Sequence, residues 1–472
     1  MNNLQDWMAT EARFAAIALT HAVSATTLVK ERPGFGQTIT PKPGSILASP
    51  IPASYDPDPD YFFHWFRDSA IVVDALRLTP QLGLKREISN RLLCEFAEFC
   101  LALRQLNGEA YVRNYPYRLY TRVDFIQYLR DEAEISKITG STACLETRVN
   151  ADGSPDISKW PRPQADGPAL RMLALMRWMT EKNTLAKNTL QDIVQLMRDD
   201  IECLLTQALE SSFDIWEEEN GFHYYTQLVQ TEALEQAASW LISRSEPALA
   251  KQCYAIVEKL SPQLDAFWDP GSGFYHSRRI PDGGDHNKLL DISVILAVIH
   301  TGRSAGAHSV LDPKAQATLT ALEELFEVDY VINHKRPPDF GPALGRYHND
   351  AYYSGGAYFF STLAGAEFYF RLAKALSDGA EIIAAPENER FRQRLGLVSH
   401  QTSPASAALA RGESMMRTVQ AFAGPQGELS EQFDQTTGVQ TSAKHLTWSY
   451  AAFITAYTHY LTACQPIKTG GI

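Results

Sequence analysis

Hydrophobic residues recur along most of this chain at spacings of three and four, the pattern of helices with one apolar face. Leu4, Trp7, Met8, Phe14, Ile17, Ala18 and Ala22 outline the first such face. The same periodicity predicts helices near 64–78, 84–106, 167–183, 187–210, 222–243, 246–268, 287–301, 312–328, 355–377, 403–422 and 445–464. That is about a dozen, most of them long enough to be stable once packed. Two-residue alternation is scarce, so any sheet should be minor. Between the helices lie segments rich in Pro, Gly, Asp and Tyr, notably 32–60, 107–165, 269–286 and 334–354. Long, aromatic, charged loops recur after every second helix, and the other connections are short. In a ring of helical hairpins this asymmetry puts the long loops on one face, and long ordered loops usually carry function.

Composition narrows the function classes. The chain has 472 residues, 45% hydrophobic and 21% charged, ordinary for a soluble globular protein. Its length alone would suggest about three domains, although large closed architectures run as one. The formal net charge is -12 with no long basic run, so neither nucleic acid nor membrane is expected as a partner. No apolar run is long enough to span a bilayer. The stretch Phe14 to Leu19 is too short for a leader's apolar core and follows Asp6 and Glu11 rather than positive charge. It reads as part of the first helix. The six cysteines are widely spaced and form no Cys-x-x-Cys pair. They point to buried free thiols rather than a zinc site or a disulfide framework.

Five stretches carry candidate chemistry. Asp214-Ile215-Trp216-Glu217-Glu218-Glu219-Asn220-Gly221 packs four carboxylates around a tryptophan, ahead of the helical run near Phe222. Acidic residues favour helix N-termini, but a carboxyl group pressed against an apolar ring is also poised to donate a proton near neutral pH. Tyr61, Trp65, Arg67 and Asp68 stand at another predicted helix start, Trp160 and Arg162 in a proline-stiffened loop before a third, and Arg346, Asp350 and Tyr352 before a fourth. Glu431 and Trp448 lie in and after Gly427–Asp434. Four of the eight tryptophans fall within these stretches. Sugar rings present apolar faces edged by hydroxyls, so they call for aromatic walls and forked polar groups, and glycoside hydrolysis adds the need for two carboxyl groups.

In order and spacing these stretches resemble the catalytic domain of glucoamylases, glycoside hydrolase family 15, over nearly the whole chain. Arg162-Pro163-Gln164, Asp166-Gly167-Pro168-Ala169-Leu170-Arg171 and Ser430-Glu431-Gln432 are the most specific matches. The resemblance implies an all-α (α/α)6 barrel, one catalytic domain over 1–472 with no appended starch-binding module, and exo-acting release of glucose with inversion. It implies Glu217 as general acid and Glu431 as general base. It also implies Arg67, Asp68, Arg346 and Asp350 as ligands of the terminal glucose, Glu218 at the next sugar, and Tyr61, Trp65, Trp160, Trp216 and Trp448 as binding aromatics. Neither metal nor cofactor is expected, the partner is an oligosaccharide or glucan, and a monomer is expected. Glu219 matches no role and is expected to be solvated. Departures at Pro155–Lys159, Ser354–Tyr358 and His445 leave the linkage open between α-1,4, α-1,6 and other α-glucosides. A phosphorylase and an inactive sugar-binding protein are the rival readings, the first disfavoured by Glu431 and the second by the presence of both carboxylates.

Overall fold

The computed structural model describes residues 3–54, 57–181, 184–281, 283–397 and 403–465. Twelve long helices organise them. In chain order they are α1 (Leu4–Ala22), α2 (Phe66–Leu78), α3 (Arg86–Ala102), α4 (Gly167–Thr180), α5 (Lys187–Gln207) and α6 (Tyr224–Ser243). The second half holds α7 (Pro247–Asp265), α8 (Ser293–Thr301), α9 (Pro313–Asp329), α10 (Phe359–Ser377), α11 (Pro404–Phe422) and α12 (Thr447–Ala463).

The even-numbered helices close a ring. α2 packs on α4, α4 on α6, α6 on α8, α8 on α10, α10 on α12, and α12 returns to α2. The odd-numbered helices lie outside it, with α1 against α12, α5 against α4, α7 against α6, α9 against α8 and α11 against α10. This is the (α/α)6 barrel. Burial explains which helix goes where: α10 buries fourteen of its nineteen residues, as a helix apolar on nearly every side must. α3 buries seven of seventeen, the single stripe of an outer helix. Among the described residues no helix is long and apolar enough to cross a membrane.

The chain enters every inner helix from a long loop, so all six inner N-termini meet at one end. Three small antiparallel ladders pair these loops. Phe63–Trp65 runs against Arg148–Asn150, joining the approaches to α2 and α4. Asn220–His223 pairs with both Ser212–Phe213 and Arg278–Arg279, joining those of α6 and α8. Gln432–Phe433 pairs with Ala357–Tyr358 and Gln440–Thr441, joining those of α10 and α12. The ladders also explain why α6 and α10 begin later than their apolar periodicity suggests, since their first apolar residues are strand residues. The segment 107–165 holds short helical turns such as Gly108–Asn114, whose first turn is capped by the Asn107 side chain.

All six cysteines are free thiols, as expected, but only half of them are buried. Cys100, Cys203 and Cys253 are buried, but Cys94 and Cys144 are only partly so, and Cys464 is exposed where α12 ends. Residues 182 and 183 of the helix predicted near 167–183, and the tail after Gln465, lie outside the described residues.

One buried ion pair bolts α4 to α5: Arg171 Nη2 lies 2.6 Å from Asp200 Oδ1, with the Asp200 side chain fully enclosed. Removing one partner strands a buried charge, so Asp200→Ala should lose about 3–5 kcal/mol, read as a lowered urea midpoint. A loss under about 1 kcal/mol would show that the guanidinium finds other compensation.

Candidate active site

The acidic stretch is a hairpin turn between Ser212–Phe213 and Asn220–His223, not the first turn of α6. Asp214 organises it. Its Oδ1 accepts the backbone N–H of Glu218 at 2.7 Å and of Glu219 at 3.1 Å, and its carbonyl accepts from Glu217 N at 3.0 Å. Glu217 is thereby held at φ 64°, a left-handed conformation uncommon outside glycine and frequent at functional sites.

Three donors from two other loops converge on the Glu217 carboxylate. Trp65 Nε1 and Arg67 Nη2 each donate to Oε1 at 2.9 Å, and Trp160 Nε1 donates to Oε2. Trp216, expected to shield this carboxyl, does something else. Its indole N–H donates to the buried Asp291 at 2.8 Å, and its ring stacks on Phe360 at 6.0 Å. Phe360 in turn stacks on Trp448 at 4.4 Å, nearly parallel. The three rings make a rigid aromatic wall.

Glu218 accepts from Lys288 Nζ at 2.6 Å, from Tyr347 Oη at 2.7 Å and from Arg346 Nη2 at 3.2 Å. Burial alone would raise its pKa, but Arg346, Lys288 and Tyr347 outweigh it and hold the carboxyl below its ordinary value. Glu219 is not solvated. It pairs with the buried Arg278 and accepts the Asp285 backbone N–H at 3.0 Å, so it ties the turn to the approach to α8.

Two further Arg–carboxylate forks face the same space. Arg67, on the first turn of α2, lies 3.3 Å from Asp68 and 3.7 Å from Asp166. Burial pushes Asp68 up to about 6, against the pull of Arg67. Arg346 is gripped by both oxygens of Asp350, at 2.6 and 2.7 Å. Asp350 stands behind that guanidinium, its side chain almost wholly enclosed. The buried Arg67 Nε and Nη1, Asp68 Oδ2 and Trp448 Nε1 have no hydrogen-bond partner in the protein. Such groups are costly unless a ligand rich in donors and acceptors satisfies them.

Glu431 sits between two hydroxyls: Tyr61 Oη donates to Oε1 at 3.3 Å, and Ser442 Oγ donates to Oε2. No salt bridge reaches it among the described residues. Burial therefore dominates and raises its pKa to about 7, although Ser442 and the more distant Arg346 oppose this.

Glu217, Glu218, Glu431, Tyr61, Trp65, Arg67, Asp68, Trp160, Trp216, Arg346 and Trp448 all border one cavity of about 230 Å³. Sequence reasoning assigned no site role to Tyr352, which hydrogen-bonds Tyr61 at 2.8 Å, or to Ser442, Lys288, Tyr347, Asp291 and Phe360. Tyr347 and Tyr352 lay inside a recognised stretch; the others belong to no local pattern. None of the divergent segments borders the cavity. Asp156 is locked between Arg148 and Arg162, each at 2.9 Å. Ser354 Oγ bonds Gln432 and Thr441, and His445 bonds Tyr450 at 2.7 Å.

Comparison with known proteins places this site in context. The family Glycosyl hydrolases family 15 matches residues 36–458. Glucoamylase 1 of Rhizopus oryzae is 27% identical over 439 residues, covering 88% of this chain and 67% of that protein. The intracellular sporulation-specific glucoamylase of Saccharomyces cerevisiae is 27% identical over 465 residues, covering 88% and 78%. In architecture the chain is similar to the Hypocrea jecorina family 15 glucoamylase, with a TM-score of 0.78 at 23% identity, covering 98% of this chain and 73% of that one. The Saccharomycopsis fibuligera glucoamylase gives 0.77 at 21% identity, covering 98% and 96%.

The turn makes a direct prediction. Asp214→Ala deletes two side-chain-to-backbone hydrogen bonds that hold Glu217 left-handed. It should cost about 2–3 kcal/mol, from roughly 1–1.5 kcal/mol for each bond, and show as a lowered melting temperature. An unchanged melting temperature would mean that the ladder alone sustains the turn.

Proposed function

The chain belongs to glycosyl hydrolases family 15 and is a glycoside hydrolase; we propose that it releases β-D-glucose, with inversion, from the non-reducing ends of maltooligosaccharides or related α-glucans. The observation that carries this reading is that Glu217 and Glu431 border one cavity together with the Arg67–Asp68 and Arg346 forks.

In this reading the terminal glucose lies against the Trp216–Phe360–Trp448 wall. Arg67, Asp68 and Arg346 take its hydroxyls, and Asp350 acts by fixing the plane of the Arg346 fork. Glu217 gives a proton to the glycosidic oxygen as the anomeric carbon–oxygen bond breaks. Trp65, Trp160 and Arg67 fix its direction, and positioning of this kind lowers the barrier by holding a near-attack geometry. Glu431 removes a proton from a water molecule attacking the opposite face of the ring. An inverting pair needs roughly 6.5–9.5 Å between its carboxyl groups so that this water fits. Glu218, held by Lys288 and Tyr347, contacts the leaving sugar.

Glu217→Gln and Glu431→Gln should each lower kcat by a hundredfold or more, about the contribution of general acid–base catalysis, with substrate binding largely kept. A panel of maltose, isomaltose, kojibiose, nigerose, trehalose and maltooligosaccharides, read by glucose release with anomer detection, tests both linkage and stereochemistry. Near-normal turnover by either variant would overturn the assignment, and initial release of α-glucose would refute inversion. Turnover that requires phosphate would identify a phosphorylase instead.

The pH dependence follows from Glu431. A general base works in its ionised form, so kcat/KM should rise as pH increases through about 7, the value to which burial raises this group. The Ser442 hydroxyl favours the ionised form. Ser442→Ala should therefore move this acidic limb to higher pH by up to about one unit, the equivalent of a charge-assisted hydrogen bond of roughly 1.4 kcal/mol. A limb that stays in place would detach it from Glu431.

A further inference from the structure

Among the described residues, four of the fourteen exposed large apolar side chains fall in one short segment outside the cavity. Leu119, Tyr120, Val123 and Tyr128 lie within ten residues of one another, with Tyr120 57% and Tyr128 53% exposed. Contiguous exposed apolar surface marks binding sites. The tyrosines are held rather than loose. Tyr120 stacks on Tyr115 at 5.4 Å with an interplanar angle of 13°, and Tyr128 meets Phe125 edge-on at 5.9 Å. Between them stands an exposed bidentate pair, with Arg122 donating to Asp124 at 2.8 and 3.1 Å. Rings flanked by a forked polar pair repeat the composition of the catalytic cavity.

The Tyr128 end of this segment is tied to the loop that carries Trp160, which borders the cavity. Lys159 donates its backbone N–H to the Tyr128 carbonyl at 2.8 Å, and its Nζ reaches the Gln127 carbonyl at 2.8 Å. The next residue is Trp160, whose indole bonds Glu217.

We infer that Tyr120 and Tyr128 form a track for the distal sugar units of a polymeric α-glucan whose non-reducing end occupies the cavity. The inference rests on the hydrolase reading above and assigns a surface site, Tyr120 and Tyr128, to sugar units outside the cavity. Aromatic contacts worth about 0.5–1.5 kcal/mol each correspond to roughly two- to tenfold in binding.

The test uses the full chain. In the Glu217→Gln background, which binds without turnover, electrophoretic retardation by glycogen is measured for Tyr120→Ala/Tyr128→Ala and for Tyr120→Phe/Tyr128→Phe. Retardation should weaken at least about fivefold in the alanine variant and persist in the phenylalanine variant, which keeps the ring faces. In the active enzyme, the alanine pair should lower kcat/KM for soluble starch by a similar factor and leave maltose turnover unchanged. Unaltered starch turnover, or an equal fall on maltose and starch, would overturn the inference. So would unchanged glycogen retardation accompanied by a dimer-to-monomer shift in sedimentation, which would assign the patch to a second copy of this chain. Failure of the hydrolase reading shows separately, as no glucose released from maltooligosaccharides by the unmodified enzyme.

Discussion

The arrangement depends on one carboxylate having its donors brought to it from far along the chain. Glu217 accepts from Trp65 and Arg67 at the start of α2 and from Trp160 in the loop before α4. More than fifty residues separate Trp160 from Glu217, and about one hundred and fifty separate Trp65 from it. No local motif could assemble that geometry. It needs a scaffold in which the approaches to α2, α4 and α6 are neighbours, and a closed ring of helices provides it. The strained backbone of Glu217 is a further sign of how far its surroundings determine it, because a left-handed glutamate persists only where neighbouring hydrogen bonds outweigh its intrinsic cost.

The ring also sets the electrostatics. All six inner helices present their N-terminal ends, with partial positive charge, to the face that gathers Asp68, Glu217, Glu218 and Glu431. The small ladders then fix the approach loops in pairs. Most charges on this face occur as tight forks: Arg346 with Asp350, Arg278 with Asp291 and Glu219, Arg67 with Asp68 and Glu217. Glu431 is different, being held by hydroxyls alone at hydrogen-bond distance. A carboxyl without a nearby cation feels its burial most fully. The two carboxyl groups thus occupy unlike surroundings, Glu217 among indole and guanidinium donors and Glu431 between hydroxyls.

How far the sequence could be read follows the range of the forces involved. Helix periodicity is a local property, so all twelve long helices were legible, as was the alternation of long and short connections. Their starts were less so, because the residues before α6 and α10 pair as strands with segments far away in the chain. Site residues in recognisable clusters, such as Arg67-Asp68 and Trp216-Glu217-Glu218, were also legible. Ser442, Lys288, Asp291 and Phe360 were not, since each becomes a neighbour of the cavity only through packing. Glu219 and Trp216 show the same limit from the other side. Their identities suggested a solvated charge and a shield for the acid, yet Arg278 and Asp291, contributed by the approach to α8, assign them to holding the turn and building the wall.

The sequence by itself therefore determined the dozen helices, the alternation of long and short connections and the residue types of a sugar site, because periodicity, loop length and clustered composition are all written locally; the closed ring was implied by the family resemblance. Only the tertiary structure decided which carboxyl meets tryptophans and which meets hydroxyls, that Asp350 backs Arg346, and that Tyr128 is tied to the loop carrying Trp160. These are contacts between distant segments, and they exist only once the ring of inner helices has closed.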